Sequence, residues 1–213
     1  MIKSKKFWYP LLLLLLGNMI CYWGIKLFQS NYHTIEFFLD DKIPFWTRTI
    51  WIYNSFYPVV LISYFLMFKK GNEDIFVNCV IAAVIGCLIS YVVYLCYPTI
   101  IDHGPIPDTD FLTKLHLDIT YFFDNPAINC FPSIHCIFCF QVMYGLFKSK
   151  GFDTKLKVFL IVYLFLIAIS TVFVKQHYFF DIIGGLVVCI IGNIITIKFK
   201  LLDKLKKKIK FLK

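Results

Sequence analysis

Two short stretches carry the side chains best suited to acid–base or nucleophilic chemistry, residues 131–135 (Phe-Pro-Ser-Ile-His) and 175–181 (Lys-Gln-His-Tyr-Phe-Phe-Asp). In the second stretch His177 and Asp181 are four residues apart, so they share one face of a helix that begins near residue 177. A carboxylate that accepts from one imidazole nitrogen sets the tautomer and leaves the other nitrogen unprotonated. The spacing therefore predicts that Asp181 orients His177 as a nucleophile or base, with a structural His–Asp pair as the alternative.

The first stretch is typical of the start of a helix that binds an anion. Pro132 is favoured at the first helical position, and a helix N-terminus offers free N–H groups and a favourable dipole. Ser133 adds a hydroxyl group, and His135 is placed to protonate a leaving oxygen. Lys175 adds the positive charge that phosphoryl transfer requires. Together the two stretches predict a phosphoryl-transfer site at a membrane surface, with His177, His135 and Asp181 as its catalytic residues.

Long apolar segments must hold these stretches together. The 213 residues are 59% hydrophobic and only 16% charged, unlike a soluble domain, and long uncharged runs are long enough for the roughly 20 residues that a bilayer core requires. We therefore predict an all-α, polytopic membrane protein with a single membrane domain over residues 1–213. The predicted spans are 10–28, 50–68, 75–97, 132–147, 158–174 and 178–197.

The connections between these spans also carry information. Prolines and aromatic residues in 98–131 predict an ordered cap rather than a disordered loop. The tail 198–213 alternates lysine with apolar residues, which predicts either an amphipathic helix that contacts anionic lipid headgroups or a solvated tail. Because the lysines flank apolar runs, the net charge of +9 does not indicate nucleic-acid binding.

The basic residues predict the orientation in the membrane. Seventeen of the 22 lie at the N-terminus, near residues 69–74 and 148–157, and in the tail, whereas the other five are Lys26, Lys42, Arg48, Lys114 and Lys175. The positive-inside rule then places both termini in the cytoplasm. The cap and both stretches would face the periplasm, the cell exterior or a lumen.

At these residues the chain resembles the type 2 phosphatidic acid phosphatase superfamily, over about residues 40–197. Pro132-Ser133-Ile134-His135 is similar to its Pro-Ser-Gly-His motif, and Ser170-Thr171-x5-His177-x3-Asp181 to its Ser-Arg-x5-His-x3-Asp motif. The segments 43–45, 97–99 and 175–178 resemble the branch of inositol phosphoceramide synthase-like phosphotransferases. The resemblance implies a six-helix membrane fold with His177 as the nucleophile, Asp181 as its orienting partner and His135 as the general acid. It implies no metal and no other cofactor.

The chain departs from the superfamily's motifs where arginines would bind phosphate. Thr171 stands at the arginine position of the last motif, and Ile134 replaces the usual glycine. Near the place of the upstream Lys-x6-Arg-Pro motif the chain has His103-Gly104-Pro105. The predicted substrate-binding residues are therefore Lys175, Ser133, Ser170 and His103, with Lys114 and His116 as further candidates. Alternatively, the substrate carries fewer phosphate charges, as a phosphodiester does, or the member is inactive.

The predicted function is hydrolysis or transfer of the phosphoryl headgroup of a lipid in the bilayer, through a phosphohistidine. A water acceptor would make the protein a lipid phosphatase, and an alcohol acceptor a phosphotransferase of the sphingolipid-synthase kind. Other classes stay open: zinc-assisted hydrolysis with His135, His177 and Asp181 as ligands, or a membrane protease that uses Ser133 and His177. A non-catalytic transport or structural membrane protein is a further alternative. The sequence identifies neither the lipid nor the oligomeric state.

Overall fold

The computed structural model describes the backbone of residues 2–208 and the side chains of residues 9–208. This part of the chain is helical, and its only β-structure is two isolated bridges, His33 with Thr99 and Ile100 with Ile128. The helices are α1 (Ile2–Lys26), α2 (Ile50–Asn54), α3 (Phe56–Lys70), α4 (Glu73–Cys96), α5 (Phe111–Phe123), α6 (Ile134–Lys148), α7 (Thr154–Phe173), α8 (Phe179–Lys198) and α9 (Leu201–Lys208), with a 3-10 turn at Thr47–Thr49 before α2.

Five helical segments in the described residues are long and apolar enough to cross a membrane. They are Tyr9–Lys26, Thr47–Lys70, Glu73–Cys96, Thr154–Phe173 and Phe179–Lys198. The remaining predicted span corresponds to α6, which has 15 residues and is therefore about 22 Å long, short of the roughly 30 Å hydrocarbon core. The all-helical membrane class is thus supported, whereas six full-length spans are not confirmed.

The shortness of α6 has a local cause at its N-terminus. The helix begins at Ile134, two residues after the predicted start at Pro132, because Ser133 is the N-cap and its Oγ accepts from Cys136 N at 3.3 Å. The preceding peptide bond between Phe131 and Pro132 is cis. The start of α6 is therefore a capped turn in which Ser133 is fully buried.

Helix α6 lies in the centre of the bundle, packed against α3, α4, α7 and α8. Its apolar side chains Ile137, Val142 and Leu146 are fully buried. Since apolar burial and close packing favour one arrangement of the helices, this core sets the position of the α6 N-terminus relative to α8.

Close approach of α8 to α6 requires glycine at the start of α8. A Cβ atom at Gly185 would lie 2.7 Å from Cys136 Cβ and 2.9 Å from the Ser133 carbonyl oxygen. At Gly184 it would lie 2.5 Å from the Phe131 ring. The two glycines therefore allow the backbone that precedes α6 to lie directly against α8.

The cap, residues 98–131, contains the amphipathic helix α5 and is tied to the bundle by side-chain hydrogen bonds. Asp110 is the N-cap of α5 and its Oδ1 accepts from Thr113 N at 3.0 Å. Trp51 of α2 donates to Thr113 Oγ1 at 3.2 Å. At the other end, Tyr121 donates to the Val174 carbonyl at 2.7 Å. The cap helix is thus anchored both to α2 and to the loop that precedes α8.

Helix α1 holds the end of the cap that leads into α6. Tyr22 donates to the Ile128 carbonyl at 3.1 Å, and Lys26 donates to the Pro126 carbonyl at 3.3 Å. Because these carbonyls lie only a few residues before Ser133, α1 helps to orient the capped turn at the start of α6.

Candidate active site

His177 and Asp181 form a buried pair at the start of α8. His177 Nδ1 lies 3.1 Å from Asp181 Oδ2, and the same oxygen accepts from Tyr178 N at 2.9 Å. Helix α8 begins at Phe179, so the pair does not share a helix face as the spacing predicted. Instead the Asp181 carboxylate caps the first turn of α8 by accepting from the backbone of Tyr178, the N-cap residue, and it also contacts the side chain of His177, which precedes the N-cap. Because a carboxylate only accepts, the hydrogen of neutral His177 lies on Nδ1, and Nε2 carries the lone pair.

Ser133 joins the start of α6 to this pair. Its Oγ lies 3.0 Å from His177 Nε2, and its backbone N–H donates to the Asp181 carbonyl at 3.1 Å. Ser133 and Asp181 both have no exposed surface. The capped turn of α6 and the capped turn of α8 are therefore connected by side-chain and backbone contacts in a buried environment.

His135 lies on the open side of His177 Nε2. Its Nδ1 is 3.3 Å from His177 Nε2, and its ring packs edge-on against Phe56, with centroids 4.8 Å apart. One imidazole and one hydroxyl group thus converge on His177 Nε2. This arrangement can supply a nucleophile, a proton donor and a hydroxyl group that contacts a bound oxygen.

Lys175 lies beside the site, but its ammonium group is engaged elsewhere. It adopts a positive φ of 53°, and its Nζ donates to the Ile43 carbonyl at 2.7 Å and to the Asp40 carbonyl at 3.3 Å. Asp40 Oδ1 in turn accepts from Phe179 N at 2.8 Å. The lysine therefore ties the segment before α2 to the loop before α8.

The side chains of Ser170 and His103, like that of Lys175, donate to backbone carbonyls. Ser170 Oγ donates to the Ile167 carbonyl at 2.7 Å within α7. His103 Nδ1 donates to the Lys175 carbonyl at 2.8 Å, and its ring stacks on Tyr121, with centroids 4.0 Å apart. Substrate binding by either residue stays a prediction.

No lysine or arginine contacts the converging groups in the part of the chain that the structure describes. The contacts of His135, His177 and Ser133 there are with one another and with Asp181, Tyr53, Phe56 and backbone groups. Arg48 is exposed and lies 3.9 Å from Asp110 in the cap. Among the described residues, the site therefore lacks the cationic side chains that commonly bind phosphate.

A cavity of about 630 Å³ lies in the cap beside His103, lined also by Asp102, Asp118 and Tyr121. Near it, burial raises the pKa of Asp124, while Lys26, 3.9 Å away, opposes that rise. Burial likewise raises the pKa of Tyr121. The cap side of the site is thus acidic and partly desolvated.

The zinc-site alternative receives no support from the geometry. No cluster of three or more His, Cys, Asp or Glu side chains suited to a metal ion occurs between residues 9 and 208. Asp181 Oδ2 is turned to His177 Nδ1 and to the backbone of Tyr178, so it does not converge with His135 on a common point.

Two residues at the site were not among the predicted ones. Tyr53 of α2 places its hydroxyl oxygen 3.4 Å from His135 Nε2 and 3.5 Å from Gln176 Oε1. Gln176 adjoins His177 in the sequence, which is a signal that could have drawn attention to it. Tyr53 lies in an aromatic, apolar run with other tyrosines, so its contact with His135 has no signal in the sequence.

Comparison with known proteins agrees with this geometry. A family model described as PAP2 superfamily matches residues 27–195. No curated protein and no solved structure matched the chain in the two other comparisons. The matched region contains both capped turns, the cap and the helices from α2 to the greater part of α8. The chain therefore belongs to the PAP2 superfamily, and it is a membrane enzyme of the phosphatase type.

Proposed function

We propose that the protein is a lipid phosphatase or lipid phosphotransferase that works through a phosphohistidine on His177. His177 Nε2 attacks the phosphorus atom, and the bond from phosphorus to the leaving oxygen breaks while His135 donates a proton to that oxygen. Water or a lipid alcohol then attacks the phosphohistidine, with His135 as the base. Such a reaction depends on positioning and charge stabilisation more than on covalent chemistry by the protein.

The observation that carries this proposal is the surrounding of His177 Nε2. The other nitrogen is engaged by a fully buried carboxylate at 3.1 Å, so Nε2 is the nitrogen free to react. His135 Nδ1 lies 3.3 Å from it, so this nitrogen faces the position at which a phosphoryl group would be attached and can serve as a general acid or base there.

A trapping experiment tests the nucleophile. The purified protein in detergent is mixed briefly with lipid labelled at phosphorus and quenched in alkali, in which phosphohistidine survives. We expect label on His177 in the wild-type protein and none in His177→Asn. The matched control is His33→Gln, which changes an exposed histidine and should retain the label. Turnover at the wild-type rate by His177→Asn would refute the proposal.

The lack of cationic side chains at the site favours a phosphodiester lipid as the substrate. With such a substrate we expect transfer of the headgroup to an alcohol, as in enzymes of the sphingolipid-synthase kind. A phosphodiester carries one negative charge, whereas a monoester carries nearly two at neutral pH. The Lys175 ammonium is engaged by two carbonyls, and no other described lysine or arginine contacts the site.

Paired assays separate these substrates and acceptors. Labelled phosphatidate and a labelled phosphodiester lipid are each supplied with and without a lipid alcohol. Faster turnover of the diester, dependent on the alcohol, is expected; faster hydrolysis of the monoester in water would overturn the choice of diester and transfer.

We further propose a single membrane domain with six crossings, in which α6 is the short one and both termini are cytoplasmic. The basic residues support this orientation. An impermeant thiol reagent on intact cells should label Asp108→Cys in the cap and reach Lys150→Cys only after permeabilisation. The reverse pattern would contradict it.

The basic helix α9 is proposed to contact anionic lipid headgroups. Lys206 is paired with Asp74 at 2.6 Å, whereas Lys204 and Lys208 line a small groove with Ile81 and Leu205. The predicted tail extends beyond α9 to residues 209–213, which lie outside the described residues. Compared with the wild-type protein, the Lys204→Gln/Lys208→Gln protein should sediment less with anionic nanodiscs and equally with neutral ones. No difference from the wild type on anionic nanodiscs would indicate a solvated tail.

A further inference from the structure

A line of polar side chains leads from His135 to the cap. Tyr53 OH lies 3.4 Å from His135 Nε2 and 3.5 Å from Gln176 Oε1. Gln176 Nε2 lies 3.5 Å from His103 Nε2, and His103 Nδ1 lies 2.8 Å from the Lys175 carbonyl oxygen. Tyr53 and Gln176 are both buried, so water does not substitute freely for these contacts.

The carbonyl at the end of this line sets the direction of every hydrogen bond in it. A carbonyl oxygen only accepts, so His103 Nδ1 carries a hydrogen and Nε2 of the neutral ring carries a lone pair. The Gln176 amide N–H therefore points to His103, and its oxygen points to Tyr53. The Tyr53 hydroxyl donates to that oxygen, which leaves its lone pairs facing His135 Nε2. His135 Nε2 pairs with those lone pairs when it carries a hydrogen, and in the doubly protonated acid Nδ1 also donates to His177 Nε2 at 3.3 Å.

We propose that Tyr53, directed by Gln176 and His103, is a positioning residue that keeps a hydrogen on His135 Nε2. The proton exchanged with substrate is then always the one on Nδ1, the nitrogen that faces His177. This inference rests on the proposed role of His135 as the acid and base of the reaction.

A hydrogen held on His135 Nε2 is compatible with both steps of the reaction, the formation of the phosphohistidine and its breakdown. Doubly protonated His135 gives its Nδ1 proton to the leaving oxygen as phosphorus bonds to His177 Nε2, and it remains neutral with hydrogen on Nε2. In the second half its Nδ1 lone pair takes the proton of the attacking water or alcohol as the phosphorus–nitrogen bond breaks. Without Tyr53, neutral His135 would also populate the tautomer with hydrogen on Nδ1, which has no lone pair for that step.

The kinetic test removes one oxygen atom. Tyr53→Phe should lower kcat about 10- to 100-fold, the scale of a hydrogen bond to a charged group. It should change KM less than about twofold, since the role proposed for Tyr53 is to position His135 and not to bind substrate. Tyr57→Phe, an exposed tyrosine one helical turn further on, is the matched control and should retain wild-type kcat. Equal kcat in Tyr53→Phe and Tyr57→Phe would overturn the inference.

Two further readouts separate positioning from loss of structure. Nitrogen NMR of protein labelled in the histidine rings, with the His135 signals identified by His135→Gln, should show hydrogen on Nε2 in the wild type and mixed tautomers in Tyr53→Phe. Gln176→Glu keeps an acceptor for Tyr53 and should be more active than Gln176→Leu. An unchanged tautomer, or equal activities of the two Gln176 variants, would refute the positioning role.

The tautomer measurement needs no substrate, so its outcome is independent of the proposed function. Phosphohistidine formation with an unchanged tautomer in Tyr53→Phe would refute only the positioning role. Mixed tautomers in Tyr53→Phe together with no phosphohistidine in the wild type would refute the proposed function and leave the hydrogen-bond line established.

Discussion

Gly185→Ala should lower turnover through a shift of less than an ångström. The new Cβ would lie 2.7 Å from Cys136 Cβ and 2.9 Å from the Ser133 carbonyl oxygen, whereas ordinary contact begins at 3.4 Å. Relief of the first contact requires about 0.7 Å of separation between α8 and the turn before α6. His177 moves with α8, so its Nε2 would lie about 3.7 Å from Ser133 Oγ, beyond hydrogen-bond reach.

The expected cost follows from that displacement. A misplacement of about 1 Å in a catalytic group lowers rates about 100-fold, and overpacking of this kind lowers the free energy of unfolding by about 1–3 kcal/mol. Turnover is therefore measured per mole of folded protein, determined by size-exclusion chromatography in detergent. We expect kcat to fall by one to two orders of magnitude in the folded fraction.

A substitution on the same helix provides the matched control. At Gly192 a Cβ would lie 2.6 Å from the Ala82 carbonyl oxygen of α4, seven residues and about 10 Å along the helix from Gly185. Gly192→Ala should therefore lower stability to a similar extent while kcat in the folded fraction stays near that of the wild type. If Gly185→Ala keeps wild-type kcat, or if Gly192→Ala loses as much, the proposed coupling of glycine packing to site geometry is wrong.

Three further predictions follow from single contacts. Asp181→Asn should lower kcat about 10⁴-fold, as for a mispositioned histidine tautomer, with little loss of folded protein; a loss below tenfold would contradict the orienting role. Lys175→Met should lower the midpoint of thermal unfolding and leave KM nearly unchanged, because its ammonium binds carbonyls; a large rise in KM would restore it as a substrate ligand. Hydrogen bonds from Thr113 hold the pKa of Asp110 below its usual range, so this cap stabilises α5 above the usual aspartate pKa and is lost as pH falls through the lowered value. The protection of α5 amides, measured as exchange relative to the intrinsic rate at each pH, should therefore fall in acid and in Asp110→Ala, but not at neutral pH in Asp110→Asn, since asparagine also caps. Equal protection in both variants would refute the cap.

The membrane class and the chemical groups of the site could be predicted from local patterns. Long uncharged runs exclude a soluble domain because each residue in a bilayer must be apolar or paired. The pairing of His177 with Asp181 followed from their short separation, although α8 begins at Phe179 and the contact arises from helix capping rather than from a shared face. The sequence also predicted that the stretches 131–135 and 175–181 form one site, and the structure places Ser133 and His135 close to His177.

Other features depend on packing that no local pattern reports. The length of α6 depends on where Ser133 caps it inside the bundle, and an apolar run alone does not reveal a helix that begins at a buried cap. Lys175 is predicted to bind phosphate because its charge lies two residues before His177 in the sequence. In the structure it meets the carbonyls of a segment more than 130 residues away, and only the fold brings that segment there.

By itself, the sequence determined the helical class of this protein and the chemical groups of its candidate site. These groups are two histidines, a carboxylate and a serine, in spacings that suit phosphoryl transfer. Such properties depend on residue type and on separations of a few residues, which short-range geometry governs. Tertiary structure alone decided that His135 Nδ1 faces His177 and that the Tyr53 hydroxyl group of α2 lies beside His135 Nε2. It also decided that no described lysine or arginine contacts the site. These are consequences of packing α2, α6 and α8 together, since contacts between distant segments depend on the whole set of buried surfaces rather than on any one of them.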